Sequence, residues 1–579
     1  MKQSSIPSAR AVVSAFRAQG IKHIVISPGS RNAPLTINFT NNHFFKCYSI
    51  VDERCAAFFA MGIALQKKEP VAIVCTSGSA LLNYYPAVAE AFYSRVPLVV
   101  VSADRPPYKI DVGDGQTIRQ DNVFERHIGY SANLKLDATH AMERLKKYAP
   151  QLNSDSQQAI DEYNQRELEK VLSCAFNQEL PVHINIPFEE PLYNTKEFET
   201  EDKFSIATPI LNSNVLMDID VFQKLWNGSK KKMVLVGVNH PNEIDEYLLD
   251  ILANDPSVIV FTETTSNLHH PNFFPSIDSI IFPIEKSAKR DSLFKDLQPE
   301  ILLTFGGLIV SKKIKAFLRE YKPKHHWHVD KIKAYDTYFS LTRHFKTNPN
   351  NFFKTFLSTT EFNQSVYFKQ WKKVKLAYEK SREKYIGQVS FSDFRAFEFL
   401  AQTIPENYQV HLANSSTVRY AQLFDMKPSI KVFCNRGTSG IDGSTATAIG
   451  ASIYEKHPTL LITGDLSFFY DSNALWNNYI RNDFRIVIIN NSGGGIFRIL
   501  PGNDESENYK TFFETSHNLN AYYLSQQYGF DYHKADDDES LKKVWQTFYN
   551  KSKKPKLLEI FTPRTVNNKI LLGYFDFIS

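Results

Sequence analysis

Two apolar runs, residues 459–463 and 485–489, restrict the fold more than any other feature of the chain. Both are rich in Ile, Leu and Val without alternation, and they stop at Gly464-Asp465 and Asn490-Asn491. Runs of this kind are strands covered on both faces, as in the parallel sheets of α/β proteins. Parallel neighbours need a right-handed crossover, and the stretch around Asn473, Ala474, Leu475 and Trp476 has the mixed helical character to supply it. Asp465 and Asn491, 26 positions apart, are therefore expected at one carboxyl edge, where open α/β sheets bind ligands.

The chemistry available at that edge is narrow. One carboxylate, one amide oxygen and a turn containing Gly493, Gly494 and Gly495 offer hard oxygen donors with little charge. Such donors suit Mg2+, with Mn2+ as a substitute, which fills its remaining positions with water and phosphate. The glycines let backbone approach a diphosphate closely. No GxxxxGK[ST] loop occurs and no GxGxxG follows a strand, so ATP and NAD are poor candidates. Gly-Asp followed 26 positions later by Asn-Asn resembles the motif of thiamine-diphosphate-dependent enzymes. That resemblance implies Asp465, Asn491 and the Gly493 carbonyl as metal ligands. A helix-capping Asp and an Asn-Asn-Ser turn would account for the same residues without a ligand.

The chain's organisation bears on the choice. Strands are expected at 23–27, 47–51, 71–75 and 96–102, each ending in a polar loop and followed by a helix, with a last strand near 181–187. This is a doubly wound α/β domain, placed at 1–192. Residues 61–78 can be laid against 448–465: Gly62 precedes Pro70 by eight positions, and Gly450 precedes Pro458 by eight. Several coincidences in the same order suggest two copies of one domain. The second copy is placed at 388–579, and strands at 233–238, 258–261, 301–305 and 327–329 mark a central α/β domain at 205–347. A polar linker is expected at 196–214 and a charged connector at 348–389, whose basic stretch 369–384 reads as a solvated helix. The fold class is thus α/β, with three doubly wound parallel-sheet domains.

Composition excludes several functions. With 579 residues, 43% hydrophobic and 22% charged, large cores can form, and a net charge of +5 does not call for nucleic acid. Five cysteines without a CxxC pair indicate neither a zinc site nor a disulfide framework. No signal peptide and no apolar run of membrane-spanning length is visible, so a cytoplasmic protein without an integral membrane segment is expected.

Further motifs sharpen the resemblance: SPGSRNAPL (27–35), VDER (51–54), TSGSA (76–80), ADRPP (103–107), GQTIRQ (115–120), NSSTVR (414–419) and NRGTSGIDG (435–443). With the 464–497 stretch they are similar to the thiamine-diphosphate synthases of the menaquinone pathway, across both copies of the repeated domain. The resemblance implies a transferase that decarboxylates 2-oxoglutarate and adds the succinyl unit to isochorismate. It implies a homodimer at least, with a dimer of dimers left open. Glu53, otherwise a helix-starting glutamate favoured by the dipole, would be the cofactor activator. Ser77, Gly78, Ser415, Ile441, Gly464, Asp465, Leu466, Ser467, Asn491, Gly493, Gly494, Ile496 and Phe497 would surround the cofactor, Ile441 as the wedge that bends it. Ser30, Arg31, Arg105, Gln116, Lys312, Lys313, Ser415, Arg419, Arg436, Ile496 and Phe497 would line the substrate site. The arginines also make independent sense, because forked guanidinium groups suit substrates that are dicarboxylates. An acetolactate synthase or a simple 2-oxo acid decarboxylase would share the cofactor motifs without needing so many.

Overall fold

The structure, a computed structural model, describes residues 2–140, 142–153, 155–198, 218–499 and 506–579. Most of the expected 196–214 linker, and the start of the expected central domain at 205, lie outside the described residues.

One unit contains Met1–Leu211 with Gly437–Lys456 and Tyr470–Phe484. A short antiparallel pair joins β1 (Lys2–Ser4) to β8 (Thr195–Glu197). The main sheet is formed by β2 (His23–Ile26), β3 (Lys46–Ser49), β4 (Val71–Cys75), β5 (Leu98–Asp104), β6 (Ser131–Asn133) and β7 (Val182–Pro187). Its order is β3-β2-β4-β5-β7-β6, and every pairing is parallel. All residues of β4 and β5 are buried, as their unbroken apolar character requires. Ile24, Val74, Val101 and Ile184 pack on one face against Val12, Phe16 and Leu172.

The other unit comprises Asn212–Arg436, His457–Phe469 and Arg485–Ser579. It holds two parallel sheets. The first has β9 (Lys232–Val236), β10 (Val258–Phe261), β11 (Ile301–Phe305), β12 (His325–Val329) and β13 (Leu341–Phe345), in the order β10-β9-β11-β12-β13. Val234 and Leu303 face one core, while Met233, Leu235 and Leu302 face another. The second has β14 (Gln409–Leu412), β15 (Lys431–Cys434), β16 (Thr459–Gly464), β17 (Arg485–Asn490), β18 (Asp531–Ala535) and β19 (Lys556–Phe561). Its order, β15-β14-β16-β17-β19-β18, reproduces that of the first unit's main sheet strand for strand. This is the topology a duplicated domain predicts.

The connection from β16 to β17 is a short helix, Asp465–Tyr470, followed by a 3-10 turn, Ser472–Leu475, at the stretch read as mixed in helical character. One sequence reading differs from the structure. The basic stretch lies in helix Tyr367–Ile386, which is not solvated all round: Tyr367, Trp371, Lys375, Tyr378 and Tyr385 are buried. These residues recur three, four or seven positions apart, forming one apolar face that the dense lysines obscure.

Within the first unit, helix Glu53–Lys67 packs against helix Ser444–Ser452. Residues 55–64 and all of 444–452 are buried, so both helices are covered on every side. Their approach depends on two glycines at equivalent repeat positions. A Cβ on Gly62 would lie 2.1 Å from the Thr447 carbonyl oxygen, and one on Gly450 would lie 2.0 Å from that of Phe59. Backbone rests on backbone there, with no side chain to yield.

Gly62→Ala and Gly450→Ala should each destabilise the protein by about 3 kcal/mol or more, because the helices must separate to admit a methyl group. Gly228→Ala, at a position with nothing within 4 Å of the new Cβ, should change stability by less than about 1 kcal/mol. Denaturant titration of the three variants checks this, and equal stabilities would refute the packing account.

Candidate active site

The loop after β17 and the helix start after β16 meet in the second unit. Asp465, the first residue of its helix, is buried and accepts the Leu466 N–H at Oδ1 (2.7 Å) and the Gly493 N–H at Oδ2 (2.9 Å). His517 Nε2 stands 3.3 Å from the same Oδ2. Asn491 Nδ2 donates to Asp393 Oδ2 at 2.9 Å, and Asn491 Oδ1 is left buried without a protein donor. Asp393 is itself held by Thr562 Oγ1 at 2.5 Å. Burial pushes the Asp393 carboxyl up to about 6, against the hydrogen bonds from Thr562 and Asn491.

Gly493 has φ +143, and a Cβ there would sit 2.7 Å from the Glu514 carbonyl oxygen. That carbonyl also accepts the Gly494 N–H at 2.6 Å. The Glu514 carboxylate is buried between Arg498 and Arg564. Gly464, Leu466 and Ser467 flank Asp465, and Ile496 and Phe497 follow in the 3-10 helix Gly495–Ile499. An orphaned buried amide oxygen beside a carboxylate and a glycine loop fits a hard divalent cation. Among the described residues no group of three or more His, Cys, Asp and Glu could hold a metal.

In the first unit, Glu53 opens helix Glu53–Lys67 behind its cap Asp52, which accepts the Cys55 N–H at 3.0 Å. Asn473 Nδ2 donates to the other Asp52 oxygen at 2.9 Å. Asp471 caps the facing helix through Thr445 N (2.9 Å) and Ala446 N (3.0 Å). Burial raises the Glu53 carboxyl above the usual range, and the Asp52 charge adds to this. A hydrogen bond to its own backbone amide and one to Asn83 oppose the rise. A glutamate held towards neutrality at a strand's carboxyl end suits proton exchange with a bound heterocycle. Nearby, Ser77 is buried with its hydroxyl unpartnered, and Gly78 (φ +88) donates its N–H to Gln120 Oε1 at 2.8 Å. A Cβ on Gly78 would touch the Gln116 backbone at 3.3 Å, so these two expected site residues do come together.

The arginines fall in two groups. Arg31 and Arg105 follow β2 and β5 in the first unit, with Ser30 exposed beside them. Arg31 is buried and donates to the Phe188 carbonyl at 2.9 Å, and Arg105 donates to that of Gly115 at 3.0 Å. Arg419 and Arg436 lie in the second unit. Arg436 donates to Asn414 Oδ1 at 2.7 Å, and the next residue after Asn414, Ser415, holds φ +66 and ψ −126, a strained backbone for a side-chain-bearing residue. Burial lowers the Arg419 pKa, with Asp278 opposing and the Arg436 charge adding. Lys313 is taken up by an ion pair with Glu285, and Lys312 is exposed. Lys315 shares an electrostatic neighbourhood with Arg419 and Arg436, and burial lowers its pKa, while Lys313 and Arg419 both act on Asp278. Ile441 stands in a loop of the first unit, 39% exposed.

Several of these partners were not read from the sequence. Asp393, His517, Glu514 and Glu90 carry no motif, and each acts through residues far away in the chain. Glu90 is buried and accepts the N–H groups of Gly437 and Thr438, both at 2.6 Å, which anchors the loop leading to Ile441. The only cue for Gln120 was its place at the end of the GQTIRQ motif.

Residues 8–126 match the thiamine pyrophosphate enzyme N-terminal TPP binding domain, 225–412 the middle domain of thiamine pyrophosphate enzymes and 414–560 the C-terminal TPP binding domain. The chain belongs to the thiamine pyrophosphate (thiamine diphosphate) enzymes. A 2-succinyl-5-enolpyruvyl-6-hydroxy-3-cyclohexene-1-carboxylate synthase of Christiangramia forsetii is 55% identical over the whole of both chains. A Flavobacterium johnsoniae protein of the same name is 52% identical over 98% of each. One from Porphyromonas gingivalis is 37% identical over 97% of this chain and 96% of its own. Within the thiamine diphosphate enzymes, the chain is a member of this synthase family.

Asp465→Asn should weaken Mg2+-dependent binding of thiamine diphosphate without unfolding the protein. Asp393→Ala, which releases the Asn491 amide, should lower metal affinity about 10–100-fold. Calorimetric titration of each variant with thiamine diphosphate and Mg2+ checks both. Unchanged affinity in Asp465→Asn would remove these residues from the metal site.

Proposed function

We propose that the chain joins the succinyl unit of 2-oxoglutarate, after loss of CO2, to isochorismate, in menaquinone biosynthesis. What carries this reading is the full-length identity of 55% to a synthase named for that product. The arginine-rich rim supports it chemically. Both substrates are dicarboxylates, and Arg31, Arg105, Arg419 and Arg436 supply forked donors for them. Thiamine diphosphate, when bound, supplies the electron sink for decarboxylation of a 2-oxo acid.

The chain's own groups have separate tasks in this reading. Asp465 and Asn491, with the Gly493 carbonyl, hold Mg2+ or Mn2+ against the diphosphate. Glu53, its carboxyl raised by burial, holds or gives a proton at N1′ of the aminopyrimidine. Ile441 would give the cofactor apolar support, with Ser77, Gly78, Ser415, Gly464, Leu466, Ser467 and Gly494 as its further contacts. Ser30, Gln116, Ser415, Lys312 and Lys313 join the arginines on substrate, and Ile496 and Phe497 close the pocket against water. The modules run 1–192, 205–347 and 388–579, and the enzyme works in the cytoplasm as a homodimer or a dimer of dimers.

Product should form from isochorismate and 2-oxoglutarate only when thiamine diphosphate and Mg2+ are both present, and pyruvate should not replace 2-oxoglutarate. Turnover of pyruvate at comparable kcat/KM would favour an acetolactate synthase or simple decarboxylase instead.

Glu53 and the 465–493 segment are expected to serve one site from two different chains. Glu53→Gln and Asp465→Asn should each be nearly inactive. Unfolded and reassembled together, they should recover activity at about a quarter of all sites, because half the random dimers are mixed and each carries one intact site. Differently tagged chains would report exchange. Mixed dimers that form and stay inactive would place both residues in one chain's site.

A further inference from the structure

Two buried cations of like sign rarely stay side by side without an anion between them. Arg31 and Arg105 have side chains only 4% and 19% exposed, and the Arg105 charge lowers the Arg31 pKa beyond what burial does. The anion is Glu190, just beyond the end of β7 (Val182–Pro187). Its Oε1 lies 3.2 Å from Arg31 Nη2 and 4.0 Å from Arg105 Nη1, while Oε2 lies 3.1 Å from Arg144 Nη1. Arg144 therefore braces the carboxylate from the other side. The neighbouring Glu189 is buried and occupied by Tyr108, Lys109 and Arg144.

The remaining donors of the pair are accounted for unevenly. Arg31 Nη1 is used by the Phe188 carbonyl and Arg105 Nη2 by that of Gly115. The Nε atoms of both are buried and make no hydrogen bond. Two guanidinium groups held at one carboxylate form a forked pair suited to a carboxylate ligand. We propose that Glu190 is a positioning residue, which holds Arg31 and Arg105 together so that the pair receives a substrate carboxylate. The inference rests on the reading of Arg31 and Arg105 as substrate contacts. It adds the residue that assembles them.

Glu190→Gln keeps the shape and removes the charge. It should raise the KM of whichever substrate Arg105→Ala affects by about tenfold, with kcat within about twofold and thiamine diphosphate affinity in Mg2+ unchanged. Arg144→Ala should raise the same KM by less. The double variant Arg105→Ala/Glu190→Gln should be no worse than Arg105→Ala alone, whereas a general loosening of the fold would add a second loss. If Arg105→Ala raises a KM and Glu190→Gln leaves it unchanged, the positioning role is wrong and the receptor stands. A lower KM in Glu190→Gln would show instead that Glu190 competes with substrate for the arginines, which also overturns the proposal. Wild-type KM values for both substrates in Arg31→Ala and Arg105→Ala would remove the receptor and the inference together.

Discussion

The contact of helix on helix at Gly62 and Gly450 sets where Glu53 can be. With no Cβ on either residue, each backbone rests on a carbonyl of the other helix. The two N-termini are then tied by one short loop, in which Asp471 caps one helix and Asn473 binds Asp52, the cap of the other. Glu53 follows Asp52 directly, so its carboxyl sits where the helix pair and its caps place it. Close packing of this kind leaves few alternative positions, because a methyl group's displacement must be taken up by whole helices.

A second theme is the use of buried carboxylates as fixtures rather than reagents. Glu90 gathers the Gly437 and Thr438 amides, Glu514 lies between Arg498 and Arg564, and Glu263 accepts N–H groups from Val310 and Ser311. Burial pushes Glu263 up to about 7, despite those backbone hydrogen bonds. Each of these acids anchors a loop that has no regular structure of its own. Such loops carry Ile441, the glycine turn and the start of the Lys312–Glu320 helix. A loop fixed by charge-assisted hydrogen bonds at both oxygens of one carboxylate can present a side chain as firmly as a strand can.

Much was legible in the amino-acid pattern because it was local. The unbroken apolar runs of β4, β5, β16 and β17 marked strands covered on both faces, and their polar stops put Asp465 and Asn491 at one edge. The duplicated spacing announced two sheets of like topology, which the strand orders show. The buried face of helix Tyr367–Ile386 was missed because seven lysines and arginines lie among its aromatic residues. Lys312 and Lys313 came from the resemblance alone, and Lys315, which shares the electrostatic neighbourhood of Arg419 and Arg436, has no motif and shows only in the folded chain.

The sequence by itself determined the strands, their parallel pairing, the repeat and the residue types at the sheet edge. All of these follow from hydrophobic periods and short spacings along the chain. Only the tertiary structure decided which groups serve those residues: Asp393 and His517 beside Asp465 and the glycine loop, Glu90 under the loop to Ile441, Glu190 between two arginines. The physical reason is that a hydrogen bond or ion pair between distant segments leaves no periodic trace. A single buried Asp, Glu or His looks the same in sequence as an exposed one, and its partner appears only when the chain has closed upon it.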